Sequence, residues 1–204
     1  QNKQIVWLVV NIGIVNLPYQ HYLLNPLDLL IGRIQQKRIR MKIYFAGPLF
    51  TPYERDYISR SAKVLREHGI DPFVPHESPK DERPNDTRTK AKRCFDNDFG
   101  GIHKANAMLA IINGPEVDDG TACEIGIFYA LMQNDPTKKG IVALHDDYRT
   151  QASGEGKGLN AFVLGCLREA GVICKTIDEA TEQLVAWKEE LQVEGLLDDE
   201  EAAS

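Results

Sequence analysis

Three acidic residues and one tyrosine carry the chemistry this chain could perform. Glu124 closes the segment Asp118-Asp119-Gly120-Thr121-Ala122-Cys123-Glu124, which continues into Ile125-Gly126. Asp98 lies in Asp96-Asn97-Asp98-Phe99-Gly100-Gly101-Ile102, and Tyr44 in Lys42-Ile43-Tyr44-Phe45-Ala46-Gly47-Pro48-Leu49-Phe50. One carboxylate can attack an electrophilic carbon while a second carboxyl protonates the leaving group, the division of labour used in retaining glycosyl transfer. Each residue also has an ordinary alternative. Thr121-Ala122-Cys123-Glu124 has capping-box spacing, Asp118 and Asp119 suit a loop or N-cap, Asp98 suits a solvated helix face, and Tyr44 suits a strand. Residue types alone thus locate a site without naming its reaction.

The elements that must position these residues are visible from Met41 onward, where short apolar runs alternate with helix-period segments, the pattern of repeated βαβ units. Strands are expected over 42–46, 70–75, 107–112, 141–144 and 172–175. Thr51 as N-cap, Pro52 at the first helical position and Glu54 as the capping-box partner start a helix running to about His68. Further helices are expected over 88–104, from just after Gly120, over 159–170 and over 177–192. Residues 76–87 and 145–158 read as polar loops, the first long enough to form a lid or a substrate-binding element. The fold class is therefore α/β: a doubly wound five-stranded parallel sheet in a flavodoxin- or Rossmann-like three-layer sandwich.

Such sheets bind ligands outside the carboxyl ends of their strands, where strand order reverses. That rule selects Tyr44 with the turn through Gly47 and Phe50, and the segment from Asn113 to Glu124. Neither place carries a Gly-x-Gly-x-x-Gly or Walker-type loop, so a dinucleotide or nucleoside triphosphate site is not indicated. Glu124 is expected in the first turn of a helix opened by Gly120, where the helix dipole favours an ionised carboxylate. Mutual repulsion among the acids should raise the pKa of one of them, with Asp118 or Asp98 the candidate.

Composition narrows the class. With 204 residues, 43% hydrophobic and 26% charged, the chain has material for one domain with extensions. A formal net charge of -6 argues against nucleic-acid binding, which needs a concentrated basic surface. Cys94, Cys123, Cys166 and Cys174 are widely spaced without metal-ligand patterning, and read as reduced thiols of a cytoplasmic protein. The apolar run from Ile5 to Leu17 is too short to span a bilayer and lacks signal-peptide flanks. Residues 1–40 are expected to be an extension outside the fold, residues 41–192 the domain, and residues 193–204 a disordered acidic tail.

The three motifs together resemble the nucleoside 2-deoxyribosyltransferase family, in the family's order and over roughly residues 41–175. The resemblance implies that Glu124 is the nucleophile of a covalent 2-deoxyribosyl-enzyme intermediate and that Tyr44 orients its carboxylate. It makes Asp98 the acid near base or sugar, and Asp118 the residue that contacts the nucleobase and manages the proton at its leaving nitrogen. Gly47, Phe50 and Gly120 fall in its substrate-binding turns. Gly158-Leu159-Asn160 resembles the segment that presents an asparagine from the adjacent subunit to the sugar 5'-hydroxyl, so Asn160 favours free nucleosides over 5'-monophosphates. An ordinary helix N-cap is the competing role for that asparagine. The partners implied are a 2'-deoxynucleoside, a free nucleobase and further copies of the chain in a homo-oligomer with shared active sites. No metal or cofactor is called for, and no nucleic acid or membrane partner. Two other functions stay open: hydrolysis of 2'-deoxynucleoside 5'-monophosphates, and a non-catalytic nucleotide-sensing module.

Overall fold

The computed structural model describes residues 7–10, 13–16, 40–78, 86–151 and 159–197. The chain divides into two units, Gln1–Arg38 and Ile39–Ser204. In the first, β1 (Trp7–Val10) and β2 (Gly13–Asn16) pair antiparallel. Of the acidic tail expected at 193–204, Val193 and Glu194 are still helical and residues from Asp198 on lie outside the described residues, as do 79–85 of the polar loop expected at 76–87 and 152–158 of that expected at 145–158.

The second unit runs β3 (Met41–Ala46), α1 (Pro52–Glu67), β4 (Ile70–Phe73), a 3-10 turn at Pro75–Glu77, α2 (Lys90–Lys104), β5 (Ala107–Ile111), α3 (Asp119–Met132) and β6 (Gly140–Leu144). A short α4 (Tyr148–Gln151), α5 (Ala161–Ala170), β7 (Gly171–Cys174) and α6 (Ile177–Glu194) complete it. Five parallel strands are ordered β4-β3-β5-β6-β7. The doubly wound α/β class read from the sequence is thus the observed one, and strand order reverses between β3 and β5.

Local chemistry explains the elements. β5 and β6 are buried at every position and β3 at all but Lys42, as required of central strands covered on both faces. Thr51 Oγ1 accepts from Glu54 N at 3.2 Å, and Glu54 Oε2 accepts from Thr51 N at 2.6 Å, completing the expected capping box of α1. The predicted second strand is cut short because Pro75 opens the 3-10 turn.

Alternation along the strands sorts side chains into two layers. Ile43, Phe45, Leu109 and Val142 pack with Ile58 and Leu65 of α1 and Leu184 and Trp187 of α6. Tyr44, Met108, Ala110 and Ala143 pack with Ile102 of α2, Ile125 and Phe128 of α3 and Leu167 of α5. Tyr44 is thereby directed into the layer that also carries Asp98 and Glu124. Among the described residues no helix is long and apolar enough to cross a membrane.

Candidate active site

The site is assembled at the strand-order reversal. Tyr44 is fully buried in β3, opposite Met108 of β5 on one side and Phe73 of β4 on the other. Its hydroxyl donates to Glu124 Oε1 at 2.5 Å, joining the central strand to α3. Burial, the negative charge of Glu124, the hydrogen bond to it and the charge of Asp98 all push the phenol far above its ordinary pKa, so Tyr44 keeps its proton and donates it to the Glu124 carboxylate.

Glu124 is partly buried, and desolvation raises its carboxyl from 4.5 to about 7. The Tyr44 hydrogen bond opposes that rise, while the charges of Asp98 and Asp118 add to it. These acids therefore share one electrostatic environment. Asp98, on the partly buried side of α2, is itself raised by burial, partly offset by a hydrogen bond from Asn97 Nδ2 at 3.0 Å. Crowding does not raise Asp98 as expected, since burial alone lifts it; the charges of Asp98 and Asp118 act instead on Glu124, where they add to a rise that burial dominates.

One expectation is corrected. α3 does not open at Gly120: its N-cap is Asp118, whose Oδ2 accepts from Thr121 N at 3.0 Å and Thr121 Oγ1 at 3.1 Å. Asp119 is the first helical residue, which places Glu124 in the second turn, beyond the strongest reach of the helix dipole. Burial therefore prevails and raises the carboxyl instead of holding it ionised. The capping-box alternative for Glu124 fails for the same reason, because its side chain receives the Tyr44 hydroxyl and Thr121 is not a cap.

The remaining sequence candidates are placed less centrally. Gly47 lies where the chain leaves β3, and a Cβ there would stand 3.2 Å from Ile58 Cδ1 and 3.3 Å from Ile111 Cδ1. Phe50 is 77% exposed in the following turn. Gly120 lies in the first turn of α3 beside the Asp118 carboxylate. Asn160 is the exposed N-cap of α5, with Oδ1 accepting from Phe162 N at 2.9 Å.

A further hydrogen-bond network lies past the ends of β5 and β6. Asn113, just past β5, accepts on Oδ1 from Asp146 N at 3.0 Å and Asp147 N at 3.1 Å. The Asp146 carboxylate receives Asn113 Nδ2 at 2.5 Å and the Tyr57 hydroxyl of α1. This network ties the loops after β5 and β6 to the first helix. Asn113 opens the strand-end segment selected from the sequence, whereas Tyr57 and Asp146 carry no such signal. A separate cleft of about 440 Å³, lined by Lys42, Asp71, Phe73, Asp96, Gly100 and Lys104 among others, includes none of the four chemical residues.

Fold and site define a doubly wound α/β protein with a tyrosine–carboxylate pair at the switch point and two further acids beside it. Residues 43–162 match the model of the family described as nucleoside 2-deoxyribosyltransferase, and the chain belongs to that family. An uncharacterized protein of Ureaplasma parvum is 31% identical over 137 residues, 63% of this chain and 84% of that protein. Among solved structures, a conserved protein from Enterococcus faecalis is similar with a TM-score of 0.58 and 25% identity, over 74% of this chain and 99% of the other. A 2-deoxyribosyltransferase from Bacillus psychrosaccharolyticus shares the fold with a TM-score of 0.51 and 22% identity, over 69% of this chain and 90% of its own.

Proposed function

We propose that the protein transfers the 2-deoxyribosyl group between nucleobases of 2'-deoxynucleosides by a retaining double displacement. Glu124 attacks C1' of the sugar, the C1'–N bond breaks with its electron pair leaving on the base, and Asp118 supplies the proton to the departing nitrogen. An incoming base then attacks C1' through nitrogen, releases Glu124 and returns a proton to Asp118. Tyr44 holds one carboxylate oxygen, leaving the other for attack. Asp98 stands beside the sugar or base. Preference for deoxyribose follows if Glu124 lies close beneath C2', where a ribose hydroxyl would compete for the carboxylate; equal turnover of ribo- and deoxynucleosides would refute this.

The observation that carries this reading is the pairing of Tyr44 with a partly buried glutamate whose neighbours are two more carboxyl groups, in a member of this family. A nucleophile with a pKa of about 7 must be ionised to react. Activity should therefore rise with pH through neutrality, with about a tenth of the limiting kcat/KM at one pH unit below the midpoint. Asn160, exposed at the start of α5, is suited to reach the 5'-hydroxyl bound by a neighbouring copy in a homo-oligomer. Light scattering of the full chain tests that assembly: a monomer at assay concentration with full activity rejects it.

Incubation with deoxyinosine and adenine tests the reaction. Appearance of deoxyadenosine is the expected result. Free base and sugar phosphate released from a deoxynucleoside 5'-monophosphate, without base exchange, would assign the hydrolytic alternative instead.

A further inference from the structure

The Tyr44 ring has a support that neither the motifs nor the proposed reaction uses. β3 and β4 are paired in parallel with Tyr44 directly across from Phe73, and the two rings stack with centroids 5.6 Å apart and planes 17° apart. Phe73 in turn meets the bare backbone of α2. A Cβ at Gly101 would lie 2.7 Å from both Cδ1 and Cε1 of Phe73 and 3.0 Å from Cγ. Three near-equal distances place that point over the ring face, not at its edge, and no real Cβ tolerates contacts so short. Only glycine lets α2 rest on the ring. One helical turn earlier, on the same side of α2, stands Asp98.

We propose that Phe73 and Gly101 are positioning residues for the Tyr44–Glu124 pair: the Phe73 ring, against the uncovered backbone of Gly101, holds the Tyr44 hydroxyl on Glu124 and sets the approach of Asp98. The packing around the buried Tyr44 ring sets where its hydroxyl points, and a 2.5 Å hydrogen bond to a carboxylate weakens steeply with misalignment. The stacked Phe73 ring is part of that packing, from the neighbouring strand. Enlarging Gly101 must push either the ring towards Tyr44 or the helix, with Asp98, away from β4. The consequence for turnover rests on reading Glu124 as the reacting carboxylate. The positioning itself does not.

The test is a titration of the Glu124 carboxyl by carbon-13 NMR in the full chain without substrate. The groups facing Glu124 are Tyr44 from β3, Asp98 from α2 and Asp118 from the loop before α3. Tyr44→Phe removes the opposing hydrogen bond and is expected to raise the midpoint by roughly one pH unit. Phe73→Leu, which only removes ring atoms, should raise it by a substantial part of that rise. In the Tyr44→Phe background, Phe73→Leu should add nothing, since it acts through the hydroxyl. Gly101→Ala should move the midpoint as well; if it does not fold, Phe73→Leu still decides. A midpoint unchanged or lowered in Phe73→Leu, or a rise that persists in full in the double variant, overturns the proposal. Trapping of a glycosyl adduct on wild-type Glu124 reads the reaction separately. No adduct with an intact titration pattern defeats the proposed reaction alone, whereas an adduct with an unmoved Phe73→Leu midpoint defeats the positioning role alone.

Discussion

Replacing Glu124 with glutamine should make the protein more stable at alkaline pH while abolishing transfer. In the folded state burial lifts the carboxyl from 4.5 to about 7, so the native protein keeps a proton that the unfolded chain releases. A group whose folded pKa lies above its unfolded value contributes stability that is complete below the unfolded pKa. That contribution is lost as pH rises to the folded pKa. The wild type therefore loses stability between about 4.5 and about 7 and then levels off. At about 1.4 kcal/mol per pKa unit, the ionised carboxylate costs on the order of 3 kcal/mol. Residual solvent contact brings the expected gain in Glu124→Gln to about 2 kcal/mol. Glutamine keeps the shape and can still accept the Tyr44 hydroxyl, so below about pH 4, where the carboxyl is protonated in both folded and unfolded states, the two proteins should be nearly equal. Asp98, also raised by burial, adds a slope of the same sign to both and largely cancels in the difference. Urea unfolding of both proteins across this range is the assay. A glutamine variant less stable than wild type near pH 9, or a difference independent of pH, would refute the reasoning.

Asp118→Asn should separate capping from chemistry. Asparagine caps helices about as well as aspartate, so urea stability should stay within about 0.5 kcal/mol while base exchange falls on the order of 10²–10⁴-fold. Gly171→Ala should destabilise by at least about 2 kcal/mol in the same unfolding assay. A Cβ there would sit 1.9 Å from the Ile141 carbonyl oxygen, a backbone atom that cannot step aside without parting β7 from β6. Lys138→Met should lower stability by about 1–3 kcal/mol. The buried Lys138 ammonium donates to the carbonyls of His103 and Ala105 at 2.8 Å each, closing the C-terminal end of the helix that carries Asp98.

Much of this architecture is legible in the amino-acid order because it depends on local signals. Runs such as Ala107–Ile111 announce strands covered on both faces, and Thr51, Pro52 and Glu54 mark a helix start without tertiary help. The three acids and Tyr44 are legible as a group through their motifs. Misreading arises where two local solutions compete. Asp118 and Thr121 both suit an N-cap, and only the folded chain shows that Asp118 takes the role and leaves Glu124 one turn deeper. That one-turn difference changes the dominant force on the carboxyl from dipole to desolvation. Contacts set by register lie beyond sequence reading altogether. Phe73 meets Tyr44 because of strand pairing, and Gly101 meets Phe73 because of the way α2 packs, although Gly101 stands inside a recognised motif. The Tyr57, Asn113 and Asp146 network joins one helix and two separate loops in the same manner.

The central claim is that Glu124 becomes covalently attached to the sugar. Intact-protein and peptide mass spectrometry after rapid quenching of a reaction with a 2'-deoxynucleoside measures this directly. The expected result is a 2-deoxyribosyl adduct mapped to Glu124 that disappears when a second base is added and never forms in Glu124→Gln. Base exchange proceeding at wild-type rate in Glu124→Gln, or an adduct mapped to another residue, would contradict the account.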